Sequence, residues 1–173
     1  IIQSLDSEEA ITLESKQNQL IIHTKSSDIA LNGLKPEEFP PLPQVPQEKH
    51  FIISSSVFIS ALSRVLPAVA TTNFKPELGG IFIAAGASTI TVAATDSFRL
   101  AEYIVNDVAE VKDSFECIIP ARVIQEIIRI APENQELSVR IGENQIVFLW
   151  DNVKIISRLI DGTYPPYRTI IPK

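Results

Sequence analysis

Residue types capable of acid-base, nucleophilic or metal chemistry are few in this chain, and their spacing suits none of it. Two histidines occur, His23 and His50. One falls in a strand-like run and the other in a proline-rich stretch, with no metal-ligand spacing to each other or to carboxylates. The single cysteine, Cys117, excludes an intramolecular disulfide and any cluster of thiolates, and suits a reducing compartment. No Gly-x-Gly-x-x-Gly, P-loop or Gly-x-Ser-x-Gly pattern is present, and the six glycines are too scattered to cradle a phosphate. Asp96 and Asp161 sit in Thr95-Asp96-Ser97 and Asp161-Gly162, where a short carboxylate ordinarily bonds its own backbone. The expectation is a protein that is not an enzyme, with no catalytic residue, metal or cofactor.

What remains is binding chemistry. The run Ala94-Thr95-Asp96-Ser97-Phe98-Arg99-Leu100-Ala101 puts an aromatic and an arginine at a strand connection. The closing segment, Asp161-Gly162-Thr163-Tyr164-Pro165-Pro166-Tyr167-Arg168-Thr169-Ile170-Ile171-Pro172, is apolar and aromatic where a loop is usually polar. Apolar groups gathered on loops point to a partner-binding groove. Three arginines, Arg64, Arg122 and Arg129, lie on the polar faces of two amphipathic stretches, the last two seven residues apart and so on one face.

The elements that must hold these groups follow from periodicity. Ser54-Ser55-Ser56 offers capping hydroxyls to a helix over roughly 55–66, with Val57, Phe58, Ala61, Leu62 and Val65 inward and Pro67 near its end. Pro120 opens a second helix, with Val123, Ile124, Ile127, Ile128 and Ala131 inward and Pro132 closing it. Strand-like runs follow each helix: Gly80–Ala84, Thr89–Ala94 and Leu100–Val105, then Glu136–Ile141, Gln145–Trp150 and Val153–Leu159. The unit is thus doubled, helix then sheet, which predicts an α+β fold of antiparallel sheets with both helices on one side.

A longer repeat contains this one. A shift of 126 positions carries residues 1–34 onto 127–160 without a gap: Ile11 and Leu13 fall on Leu137 and Val139, Asn18-Gln19-Leu20 on Asn144-Gln145-Ile146, and Ile29 on Ile155. After one residue of slippage Phe39-Pro40-Pro41 falls on Tyr164-Pro165-Pro166. Four prolines between Pro40 and His50 mark a linker. With no methionine, and Ile1 at what reads as the end of an apolar helix, the chain is expected to be a fragment.

Length and composition agree with a folded body: 173 residues, 45% of them hydrophobic and 21% charged, can bury a sizeable core. No apolar run approaches the roughly 18 to 20 residues that cross a bilayer, and the N-terminus has no signal-peptide zones, so a cytoplasmic protein is expected. A net charge of −6 argues against a protein that coats nucleic acid, while leaving room for a local basic face.

Ala-Thr-Asp-Ser-Phe-Arg-Leu-Ala at 94–101 and Leu-Ile-Asp-Gly-Thr-Tyr-Pro-Pro-Tyr at 159–167 resemble the signatures of the bacterial sliding clamp, the beta subunit of DNA polymerase III. The likeness runs along the whole chain. Residues 1–46 look like the C-terminal half of the first clamp domain plus linker, and 47–173 like the complete middle domain. The resemblance implies the DNA-clamp fold and a non-catalytic processivity factor. In the full protein, two three-domain subunits would close head to tail around duplex DNA without reading its sequence. It implies Arg64, Arg122 and Arg129 as DNA-facing residues. It also implies a groove for short peptides of polymerase, clamp loader and repair proteins, with Leu78, Thr95, Ser97, Phe98, Arg99, Leu100, Pro165 and Ile170 as its wall. In that groove the Arg99 stem would flank the peptide and backbone groups near Ser97 would bond it. The chain departs from the family pattern where many relatives have Gly-His in place of Ser97-Phe98, an aspartate at Pro166 and an arginine at Thr169. The competing reading is a non-enzymatic, repeated-domain interaction scaffold with no DNA role.

Overall fold

The computed structural model describes residues 10–41, 49–72, 74–108, 111–169 and 171. The chain divides into two compact units, Ile1–Pro43 and Gln44–Lys173.

In the first unit three short strands, β1 (Thr12–Lys16), β2 (Gln19–His23) and β3 (Asp28–Asn32), form an antiparallel sheet in sequence order. The pairing registers put Leu13, Leu20, Ile22, Ile29 and Leu31 on one face. The other face is polar around a central Ile21–Ala30 pair. There the Gln19 amide donates to Asn32 Oδ1 at 2.9 Å, and His23 lies between Asp28 at 2.9 Å and Glu14 at 3.2 Å. These two carboxylates raise the His23 pKa, Asp28 foremost.

The second unit runs β4 (Lys49–Ser54), α1 (Ser55–Val65), β5 (Gly80–Ala85), β6 (Ile90–Thr95), β7 (Leu100–Val105), β8 (Phe115–Pro120), α2 (Ala121–Ile130), β9 (Glu136–Ile141), β10 (Gln145–Trp150) and β11 (Val153–Arg158). It is α+β, as its periodicity predicts, and shifting β1, β2 and β3 by 126 lands them on β9, β10 and β11. Two strands were not anticipated. The stretch before each helix, β4 and β8, is itself a strand, and each pairs with the opposite half. The sheets are β11-β10-β9-β4 and β7-β6-β5-β8, antiparallel throughout. This reciprocal exchange makes neither half complete without the other.

Both helices pack on the sheets' inner face, α1 against β4, β6 and β7, α2 against β5 and β8, and the helices touch one another. Phe51 of β4 meets Phe58 of α1 edge-on at 5.8 Å and stacks on Phe115 of β8 at 6.0 Å, while Phe58 meets Phe148 of β10 at 6.4 Å. One aromatic chain therefore joins both sheets and a helix, the kind of burial that dominates core energetics. Cys117 lies buried, and burial pushes its thiol up to about 12, so it is inert.

The start of α1 differs from the capping expectation. Ser54 occupies the cap position, but its hydroxyl meets Ser56 Oγ at 2.9 Å rather than a backbone amide. The tie that anchors this end is tertiary: Ser55 N–H donates to Gln135 O at 2.8 Å, and Gln135 N–H donates back to Ser55 Oγ at 3.1 Å. Val57, expected inward, is exposed, at the edge of a shallow pocket that it lines with Ile52, Ile53 and Val105.

Candidate functional site

The β6–β7 connection is built by two side chains. Asp96 Oδ1 accepts the amides of Phe98 (2.9 Å) and Arg99 (2.7 Å), and Oδ2 accepts both Nε (3.0 Å) and a terminal nitrogen (2.8 Å) of the Arg99 guanidinium. Thr95 Oγ1 donates to Arg99 O at 2.6 Å and accepts the Ser97 amide at 3.1 Å. The turn reading of Asp96 therefore holds. The Arg99 backbone and side-chain bonds, then the Phe98 amide, hold its carboxyl down at about 2. Ser97 sits at φ 76, a left-handed conformation that these bonds sustain. At the tip Phe98 is 96% exposed, an aromatic ring held in water by a braced loop. The amides of Ser97, Phe98 and Arg99 are all engaged inside the loop.

The closing segment crosses the outer face of β7-β6-β5-β8. Pairing aligns Ile118, Phe82, Ala93 and Glu102 in one row across the four strands. Tyr164 stacks on Phe82 at 5.0 Å. Tyr167 meets both Phe82 and Tyr164 edge-on at 6.1 Å. Leu78, Ala93 and Ile118 are buried with the two tyrosines, and Ala70, Leu100 and Ile160 pack around them. Small Ala93 leaves room for the rings. With helices on one side and this segment on the other, every residue of β6 is buried. The segment's tyrosines, 7% and 5% exposed, are thus largely a second small core and not a free apolar surface. Burial pushes both phenols up to about 12. The Tyr164 hydroxyl has no partner at hydrogen-bonding geometry, although the neighbouring Thr95 backbone pulls its pKa the other way.

Of the sequence-predicted wall, Leu78, Leu100 and Thr95 gather around this aromatic cluster, Ser97, Phe98 and Arg99 form the loop beside it, and Pro165 lies in the segment on top. Leu78 and Thr95 are buried, Leu100 and Pro165 half-buried, and Ser97, Phe98 and Arg99 exposed. Ile170 lies outside the described residues. An open groove of about 1050 Å³ runs along the closing segment past Glu116, Glu143 and Arg158; it shares Phe82, Ile118, Tyr164 and Tyr167 with the cluster, and among the described residues of the predicted wall only Pro165 lines it. Phe82, Tyr167 and Glu102 were not singled out for the wall. The aromatic-Pro-Pro motif was the available signal for Tyr167, and an acidic residue inside a strand-like run was the signal for Glu102.

On the helix side, Arg64, Arg122 and Arg129 are all exposed, on two helices in contact. The Arg64 guanidinium lies 5.4 Å from the Tyr103 ring centroid, within cation–π range. Arg129 is paired with Glu126 at 2.6 Å. Arg122 stands in the first turn of α2, beside the helix's partial positive end. Among the described residues, no cluster of His, Cys, Asp or Glu could hold a metal, and no helix is long and apolar enough to cross a membrane.

An α+β unit doubled within itself, with helices on one face of antiparallel sheets and a partial copy before it, has the architecture of a DNA clamp. Residues 52–166 match the family model of the DNA polymerase III beta subunit, central domain, and the chain belongs to that family. It is 31% identical over its whole length to the beta sliding clamp of Staphylococcus aureus, covering 46% of that protein, and 34% identical over 91% of its length to that of Bacillus subtilis, covering 42%. Among solved structures, the Helicobacter pylori beta clamp bound to a DNA ligase peptide superposes with a TM-score of 0.88 at 27% identity, over 99% of this chain and 48% of the other. The Bacillus subtilis clamp does so with a TM-score of 0.84 at 30% identity, over 94% and 43%. The chain thus spans about half the length of the relatives it matches.

Proposed function

We propose that this chain is part of a sliding-clamp subunit, a non-catalytic, cytoplasmic processivity factor that closes as a head-to-tail ring homodimer around duplex DNA and tethers polymerase, clamp loader and repair proteins. In this reading residues 1–46 are the C-terminal half of the first clamp domain with its linker, and 47–173 the complete middle domain. The observation that carries the reading is the family match over 52–166 on a fold whose two helices lie together with their arginines exposed. Arg64, Arg122 and Arg129 would face DNA. One of them is stacked and one ion-paired, which suits weak, sequence-blind contacts that let a ring slide.

The braced Phe98 loop, with Leu78, Thr95, Ser97, Arg99, Leu100, Pro165 and Ile170, would form the middle-domain wall of the peptide groove. Phe98 would be its apolar contact and the pinned Arg99 stem its flank. Because the amides of residues 97–99 are engaged in the loop, an incoming peptide would meet carbonyl oxygens there. The test is retention by the full-length protein on DNA: a clamp stays on closed circles and runs off the ends of linear molecules. Equal retention on both rejects the proposal.

A further inference from the structure

The closing segment is covalently continuous with β11 but is poorly fastened by its backbone. After Ile160, whose amide donates to Ile118 O at 2.9 Å, the described backbone hydrogen bonds of residues 161–169 are local: Tyr167 to Pro165 and Thr169 to Pro166. Pro165 and Pro166 have no amide to give, and the Tyr164 hydroxyl is unpartnered. Polar attachment to the sheet converges on one carboxylate. Glu102 Oε1 accepts the Tyr167 hydroxyl at 2.6 Å and Arg168 Nε–H at 3.2 Å, while a terminal Arg168 nitrogen reaches Thr91 Oγ1 at 3.4 Å. Glu102 stands in the same cross-strand row as Phe82 and Ala93, so its bonds set where the tyrosine rings land on the sheet.

We propose that Glu102 is a positioning residue: its carboxylate latches the closing segment to the sheet and so fixes the aromatic cluster behind the Thr95–Leu100 loop, and with it the partner-binding wall. The inference rests on the groove reading above. Glu102 touches no partner itself in this scheme; it acts through Tyr167 and Arg168.

The experiment compares Glu102→Ala, Glu102→Gln, Tyr167→Phe and Phe98→Ala in the full-length protein. Its readouts are backbone hydrogen exchange and affinity for the DNA ligase peptide seen on the Helicobacter pylori clamp. Losing a charged acceptor should speed exchange at residues 167–169 and weaken peptide binding by about tenfold each in Glu102→Ala, with exchange in β9 and β10 unchanged. Glu102→Gln keeps an acceptor and should recover most of both effects; Tyr167→Phe should loosen the segment by part of that amount. Unchanged exchange at 167–169 in Glu102→Ala overturns the latch. Faster exchange with unaltered peptide affinity overturns the positioning role, provided Phe98→Ala weakens binding. If Phe98→Ala is also silent, the groove reading itself has failed.

Discussion

Thr95 and Asp96 together satisfy the amides of Ser97, Phe98 and Arg99, and the carboxylate of Asp96 also holds the Arg99 guanidinium. These bonds fix the backbone from which the exposed Phe98 ring projects. The Asp96 carboxyl is depressed from 3.8 to about 2, so its contribution to the loop is fully present above pH ~3.8 and is lost as pH falls through about 2. The amide resonances of Phe98 and Arg99 should therefore titrate with a midpoint near 2. A midpoint near that of a free aspartate would mean that the brace does not form. Phe98→Ala should weaken peptide binding by roughly 1–3 kcal/mol, in the range for removing an aromatic anchor, and leave DNA loading intact. An equal defect in both assays would merge two faces that are distinct here.

At the scale of elements, the feature that organises the second unit is the exchange of β4 and β8 between halves. Gly80 shows how closely these parts meet. A Cβ there would lie 2.6 Å from Ile119 O, 2.8 Å from Ile118 Cγ2 and 2.8 Å from Ile160 Cδ1. Two of these atoms belong to side chains that can shift, but the Ile119 carbonyl is backbone held in the β5–β8 ladder. Gly80→Ala should therefore cost about 1–3 kcal/mol, the usual penalty of overpacking, measured by urea unfolding. A neutral result would show that the β5–β8 junction has slack.

The helices and the six strands following them were legible because their periods are local. Glu136–Ile141 and Leu100–Val105 match the sequence reading residue for residue. β4 and β8 were not, for a physical reason. They are as long as the strands that were legible, but the partner of each is remote in sequence, β9 for the first and a strand of the preceding half for the second. β4 is also hidden between a proline-rich stretch and a run of serines. In the candidate site, Asp96 as a turn residue was readable from its neighbours. Glu102 stood out only as an acidic residue in a strand-like run, and its role was not readable because it depends on Tyr167, 65 residues away.

Considered whole, the chain carries a net charge of −6 and three arginines on exposed helix faces, so any hold on DNA must be local and modest. Their environments differ enough to rank them. Arg129 is already neutralised by Glu126 and Arg64 is drawn over Tyr103, whereas Arg122 has no described ion-pair partner and adds to the positive end of α2. Each phosphate contact steepens the salt dependence of DNA affinity by ~0.9, so three full contacts would contribute about 2.7 per subunit of the ring. The triple change Arg64→Ala, Arg122→Ala, Arg129→Ala in the full-length protein should flatten that slope by less than this, on the order of 2 per subunit, with Arg122→Ala responsible for the largest single share. Peptide affinity should be unchanged, because the arginines lie on the helix side of the sheet and the closing segment covers its other face. Salt-dependent retention on circular DNA, measured for the single and triple variants, checks both statements. A slope unaffected by the triple change would remove these helices from the DNA-facing surface, and a slope that responds to Arg129 more than to Arg122 would show that the Glu126 pair opens on DNA.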